Sequence, residues 1–433
     1  MVYEKIRNIE FQNNFSLYNI FLIILISYLV FNSYFFFAPI ILTFLIFFGF
    51  DTKVSRVERY IYQCLVIIFY VKKFIFSFTL DNFNIWKSTF YSSYEPYLPD
   101  FILVLKQINC NYLISSLKSN SNECSSVDGY GPLLYYLNLP LNIEIVTEVY
   151  IYVLLVGIIL FSRYIFSKYE NYSHLLTITL LSPTLNLLLH QMNIDFFFLL
   201  VALYCMRNIE RKTILKSLLI LFISLLKLHP VGIIFGLIIY GVIKKNRKIL
   251  IVNLISFIVF ISSLILFLIN QNSLLTSPRP SGMENSIGFL SLSQYLWINY
   301  IKITGQYRDV LIIYIFLFSL LFVIINQNKN EDYFKNINIS TYELLTIIWL
   351  MTSYLYANYD YRSAYLIPIL IIYFQSGRKK EYTTLLLFLV VSPINPIFNI
   401  QLINLLIIVK VTLFFRIIYF FALILLGFIK SNK

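Results

Sequence analysis

The sequence predicts an all-α protein, a polytopic bundle of transmembrane helices forming a single integral membrane domain over residues 1–433. Three observations carry that expectation. Hydrophobic residues make up 59% of the chain and charged residues only 13%, outside the range of water-soluble domains. Apolar runs of roughly 20 residues, enough to cross a hydrocarbon layer of about 30 Å, recur along the whole length. Basic residues gather in the short breaks between those runs, the positive-inside pattern that orients membrane helices.

The basic breaks are Lys53/Arg56/Arg59, Arg207/Arg211/Lys212/Lys216, Lys244/Lys245/Arg247/Lys248 and Arg378/Lys379/Lys380. Their spacing turns a net charge of +13 into a set of contacts with anionic lipid, and argues against a nucleic-acid partner. Ile, Asn, Phe, Tyr and Lys are abundant, as an AT-rich genome would give. Most of the 35 Tyr and 41 Phe therefore read as packing and lipid-facing residues.

With those breaks placed in the cytoplasm, the spans follow in order. Lys5 and Arg7 hold the N-terminus inside, with no small-residue cleavage site after them. Spans at 15–32, 34–50 and 60–79 come first, the third interrupted by Lys72-Lys73, which must snorkel. Residues 80–145 form the first large external loop, where Asp81, Glu95, Asp100, Glu123, Asp128 and Glu144 outnumber the basic residues. Spans near 146–163, 173–190 and 193–206 precede a shorter pair at 216–228 and 230–243. That pair lies between two basic loops, so it enters from the cytoplasm and returns, with Pro230 breaking the helix at the turn. Spans at 249–269, 309–326, 341–357, 363–376, 382–398 and 402–429 complete the set, with 270–308 and Tyr359-Asp-Tyr-Arg362 as further external segments. The total, about 12–14 crossings of the length a bilayer requires, leaves both termini cytoplasmic.

Of the four cysteines, Cys64 and Cys205 lie in apolar spans, while Cys110 and Cys124 share the first external loop. An oxidising compartment would allow those two to bridge or leave them as thiols. No CxxC or HExxH spacing marks a metal site, and no phosphate-loop, dinucleotide or nucleophile-elbow motif occurs. No metal and no cofactor are expected.

What remains is charge and polarity at the ends of apolar spans, where ionisable groups are costly and become functional candidates. Asp100 opens an apolar run after Tyr97-Leu-Pro, either capping a helix or serving as a general base near the outer face. Asp128-Gly-Tyr-Gly-Pro132 closes the same loop, as a turn or as the wall of a polar pocket. His190, Gln191, Asn193 and Asp195 fill a tight turn, where interhelical hydrogen bonding would account for them. Lys227 and His229 flank Pro230 and either snorkel or meet an anionic phosphate.

The run from His190-Gln-Met-Asn through the basic loop to Leu226-Lys-Leu-His-Pro230 resembles the polyprenol-dependent GT-C glycosyltransferases, especially the family-87 bacterial mannosyltransferases. Asp100-Phe101 and Tyr130-Gly-Pro132 match the order of motifs in that family's first external loop. Ser281-Gly-Met-Glu-Asn-Ser-Ile looks like its later Asn-x-Ser segment, and Asp360-Tyr-Arg-Ser like its late external corner. The resemblance spans residues 95–375. It implies a GT-C bundle whose external loops form the active site, and transfer of a hexose from a polyprenyl-phosphate sugar to a lipid or glycan acceptor. It implies Asp100 as catalytic base, with Glu95 or Asp128 as the second carboxylate, and Lys227 with His229 near the donor phosphate. His190, Gln191, Asn193, Tyr130, Glu284, Asp360 and Arg362 would line the substrate site. The expected location is a bacterial plasma membrane. A transporter or flippase of lipid-linked saccharides, or a polysaccharide polymerase, would use the same residue types.

Overall fold

A computed structural model describes residues 17–32, 54–79, 104–105, 108–109, 132–137, 139–168, 172–190, 194–207, 209–270, 286–287, 341–354, 358–359, 364–375, 379–391 and 400–431. The regular secondary structure over these residues is helical apart from one two-residue strand pair. The helices are α1 Leu17–Asn32, α2 Arg56–Thr79, α3 Pro132–Tyr136, α4 Ile143–Lys168, α5 Ser173–Leu180, α6 Pro183–His190 and α7 Asp195–Met206. They continue with α8 Thr213–Leu226, α9 Val231–Ile243, α10 Arg247–Asn270, α11 Thr341–Tyr354, α12 Ile367–Gln375, α13 Lys379–Val391 and α14 Ile400–Ser431. Strand β1 Ser286–Ile287 pairs antiparallel with β2 Asn358–Tyr359, with Ser286 opposite Tyr359.

Among the described residues three stretches are long and apolar enough to cross a membrane: Ile145–Ser167 in α4, Arg247–Phe267 in α10 and Ile407–Phe428 in α14. Helices α7, α8 and α9 are as apolar but only 12, 14 and 13 residues long. At about 1.5 Å per residue each falls short of a full crossing.

The chain divides into two compact units, Met1–Ser92 with Tyr152–Ser182, and Ser93–Ile151 with Pro183–Lys433. In the first, α1 and α5 pack against α2. Helix α2 begins with a capping box: the Ser55 amide donates to Glu58 Oε2 (2.6 Å) and the Glu58 amide to Ser55 Oγ (3.2 Å). It then runs unbroken through Lys72-Lys73 to Thr79. Every residue of α5 is buried, and the Tyr70 hydroxyl of α2 donates to the carbonyl of Leu180 at its end.

The span expected over 173–190 is not one helix. It ends at Leu180, where the Leu181 and Ser182 amides fold back on Thr177 and Thr179 carbonyls, and α6 restarts at Pro183. Proline has no N–H to give and disfavours a helical residue before it, so a break at Ser182 follows from chemistry that the apolar length obscured.

In the second unit α8, α9 and α10 form successive antiparallel packings, with α11 laid against α9. Gly241 sets the α9–α10 turn: a Cβ there would lie 2.9 Å from the Leu250 amide nitrogen and 3.0 Å from its Cα. The same turn uses Lys245 at φ 52°, a left-handed conformation, and the Asn246 side chain, which caps α10 by accepting from the Ile249 amide at 3.2 Å.

Candidate functional site

The expected break at Pro230 is present. Helix α8 stops at Leu226, Lys227 turns extended (φ −148°, ψ 128°), and α9 starts at Val231 with Pro230 as its N-cap. The Lys227 amide still reaches the Ile223 carbonyl (2.9 Å), and the Val231, Gly232 and Ile233 amides turn back on Leu228, His229 and Pro230. Two half-span helices thus meet at a tip that presents Lys227 and His229 from adjacent turns of irregular backbone.

Asp195 meets them there. Its Oδ1 lies 2.7 Å from Lys227 Nζ and 3.7 Å from His229 Nε2, with side-chain exposures of 0%, 3% and 7% for the three. Asp195 is the first residue of α7, where a carboxylate is also favoured by the positive end of the helix dipole. A buried ammonium or carboxylate is tolerable only with a counter-charge, so the Lys227–Asp195 pair is the condition for either group being inside.

Aromatic rings close the other side. His229 Nε2 and the Tyr365 hydroxyl share a hydrogen bond of 2.8 Å, and Tyr365 stacks on Trp349 of α11 with centroids 4.6 Å apart and planes at 22°. The imidazole meets both rings edge-on, at 5.2 Å to Tyr365 and 6.0 Å to Trp349. Tyr365 and Trp349 are fully buried. Which His229 nitrogen carries the proton sets which partner donates to which.

Lys227 and His229 are therefore brought together, but Lys227 is already ion-paired rather than standing open at an interface. His190 ends α6, five positions before Asp195 begins α7, while Gln191 and Asn193 lie outside the described residues. Asp100, Asp128, Glu95, Tyr130, Glu284, Asp360 and Arg362 also lie outside them, as do Cys110 and Cys124. The β1–β2 pairing does join two segments treated separately in sequence: Ser286, close after Glu284, sits opposite Tyr359, which precedes Asp360.

Asp195 was named in the sequence only among the polar residues of the His190 turn and here gains specific partners, whereas Tyr365 and Trp349 are residues that sequence reasoning did not single out. Asp195 carried a signal, since a carboxylate opening an apolar helix needs a cation, and Lys227 was the matching charge. Tyr365 carried none, being one of 35 tyrosines.

Lys216, expected as a cytoplasmic anchor, is instead buried. Its Nζ donates to the Arg207 carbonyl, satisfying the C-terminus of α7, and lies 5.4 Å from the Tyr204 ring centroid. A lysine one turn inside α8 can reach the end of the helix before it, which charge counting along the chain does not reveal. Among the described residues no three or more His, Cys, Asp or Glu side chains converge as metal ligands. Comparison with protein-family models, with curated proteins and with solved structures finds no match to this chain.

Proposed function

We propose that this protein is a multi-pass membrane glycosyltransferase of GT-C type. It moves a hexose from a polyprenyl-phosphate donor to a lipid or glycan acceptor at the outer face of a bacterial plasma membrane, with both termini cytoplasmic. The observation that supports this most is the half-span pair α8–α9, broken at Lys227–Pro230, with Lys227 and His229 gathered at its tip. Irregular backbone inside an apolar bundle persists where it serves a site, and cationic groups there suit a lipid phosphate.

The chemistry assigns the roles. Glycosyl transfer passes through an oxocarbenium-like transition state, in which a carboxylate takes the acceptor's hydroxyl proton and cations stabilise the departing phosphate. Asp100 is the base, with Glu95 or Asp128 assisting; Lys227 and His229 attend the phosphate. His190, Gln191, Asn193, Tyr130, Glu284, Asp360 and Arg362 contact the sugar and acceptor.

A flippase of lipid-linked saccharides is the second reading, favoured by the burial of three ionisable groups in one cluster, as ion-coupled transporters require. The purified protein, given a panel of polyprenyl-phosphate hexoses and a lipid acceptor, separates the two. Release of polyprenyl phosphate with formation of a glycosylated acceptor supports the transferase. Movement of intact donor across proteoliposomes without its cleavage supports the flippase and removes the transferase reading. In the transferase, Lys227→Met keeps the stem and deletes the charge, so both donor affinity and turnover fall, because phosphate charge grows as the glycosidic bond breaks.

A further inference from the structure

At the ends of α8 and α9 remote from Pro230, two turns distant in sequence come together. Residues 207–212 join α7 to α8, and residues 244–246 join α9 to α10. The Tyr240 hydroxyl, on the last turn of α9, donates to Glu210 Oε1 of the first turn at 3.3 Å and ties the two. Each turn is also fixed by its own hydrogen bonds. The Lys216 ammonium and the Thr213 hydroxyl reach carbonyls of the first, and the Lys244 and Asn246 amides return to Tyr240 and Gly241 in the second, both at 2.9 Å. Arg211, Lys212, Lys245, Arg247 and Lys248 are exposed around this junction. Glu210 is the acidic residue of the two turns.

Depth and backbone together indicate what this patch would take. Helix α10 begins at Arg247, the first residue of one stretch long and apolar enough to cross a membrane. Lys244 Nζ lies 5.5 Å from the ring centroid of Phe428, the last residue of another such stretch. In a bilayer both stretches end here, which sets the two turns at the level of lipid phosphates. The backbone adds an independent observation. Among the described residues, the non-glycine residues at positive φ are Lys212 (φ 57°) and Lys245 (φ 52°), one in each turn. The left-handed region crowds Cβ against the backbone, a cost that glycine avoids and that a short polar side chain offsets by local hydrogen bonding. Each turn bears that cost with an ammonium group where glycine would fit freely. We propose that the paired turns form one binding site for a phospholipid headgroup carrying two phosphates, one beside each left-handed lysine. Arg211 flanks the phosphate at the first turn, and Arg247 with Lys248 flank the second, as charge-assisted contacts. A lipid with a single phosphate engages one turn only. Basic breaks along a chain imply general attraction to anionic lipid, whereas the joining of two breaks selects a ligand with two separated phosphates. This site lies away from Lys227 and does not depend on the transfer reaction proposed above.

The test uses the full-length, delipidated protein in detergent, with native mass spectrometry to count bound lipid and thermal unfolding to follow the fold. Tetraoleoyl diphosphatidylglycerol is expected to bind as one molecule per chain, about tenfold tighter than dioleoyl phosphatidylglycerol at equal phosphate. Lys212→Gly with Lys245→Gly removes both ammonium groups and suits both backbone angles. The lipid-free melting temperature therefore holds or rises, while the affinity falls about tenfold or more. Arg211→Gln with Lys248→Gln leaves the backbone of both turns as it is and weakens binding comparably. Lys53→Gln with Arg56→Gln, an equal loss of charge at another basic break, leaves the affinity within about twofold. Equal affinity for the two lipids, phosphate for phosphate, overturns the site in favour of general attraction to charge, as does an equal loss in the Lys53/Arg56 variant. Deacylated bis(glycerophospho)glycerol binding as tightly as the intact lipid overturns a lipid as the ligand. Undiminished binding in both the glycine and the glutamine variants at the turns overturns the placement.

Discussion

Asp195 and Lys227 hold one another at 2.7 Å across two helices, with both side chains almost completely removed from the surface. The attraction between them offsets a desolvation cost that neither could bear alone, so the pair acts as a unit. This asymmetry between breaking a pair and removing it governs how the tip responds to substitution.

Lys227→Met and Asp195→Leu, made singly, each strand a buried charge and are expected to lose about 3–5 kcal/mol of stability. The double variant removes both charges and recovers most of that loss. Thermal unfolding of the detergent-purified protein reads the cycle. Additive losses in the double variant would mean that the two residues do not depend on one another.

Helix packing makes a second, unequal pair. Gly241→Ala drives a methyl group into the Leu250 backbone at 2.9 Å, which cannot move aside, and is expected to cost about 1–3 kcal/mol. Gly236→Ala meets the end of the Leu345 side chain at 3.2 Å, which can rotate, and the loss is smaller. Melting temperatures of the two variants, compared under one set of conditions, check the order.

Asp100→Asn keeps the shape and capping ability of the residue while abolishing its capacity to take a proton. If Asp100 is the base, turnover with a polyprenyl-phosphate hexose falls by a factor on the order of 10²–10⁴ while the protein remains folded. Undiminished turnover reassigns the residue to helix capping and moves the test to Asp128 and Glu95.

Orientation is checked at Ser116→Cys, within the segment 80–145. The basic breaks on either side predict an external segment, so an impermeant thiol reagent is expected to label it in intact cells. Labelling only after permeabilisation reverses the topology and takes Asp100 away from the outer face.

The helical class and the α8–α9 turn were legible because both rest on local chemistry: apolar length, flanking basic residues and a proline. The break at Ser182-Pro183 was equally local and was masked by the apolar run on either side of it. The Asp195–Lys227 pair was half legible, since each residue was visible as a costly charge, but the partner of a buried charge is chosen by tertiary packing. The same holds for Lys216, whose ammonium group serves a carbonyl that lies before it in the chain, and for Tyr365, whose hydroxyl is distinguished from the others only by what it faces.

The order of these residues along the chain bears on how the site is made. Asp195 leaves the ribosome before Lys227, so the carboxylate is already present when the ammonium has to be accommodated, and the half-span hairpin need not wait for an unborn counter-ion. Trp349 and Tyr365 are synthesised much later, behind α10 and the β1 segment. Until they arrive His229 lacks both its aromatic wall and its hydroxyl partner. Both charges of the Asp195–Lys227 pair are thus translated before the aromatic residues that pack against His229, and a chain ending before α11 would carry that pair without Trp349 and Tyr365.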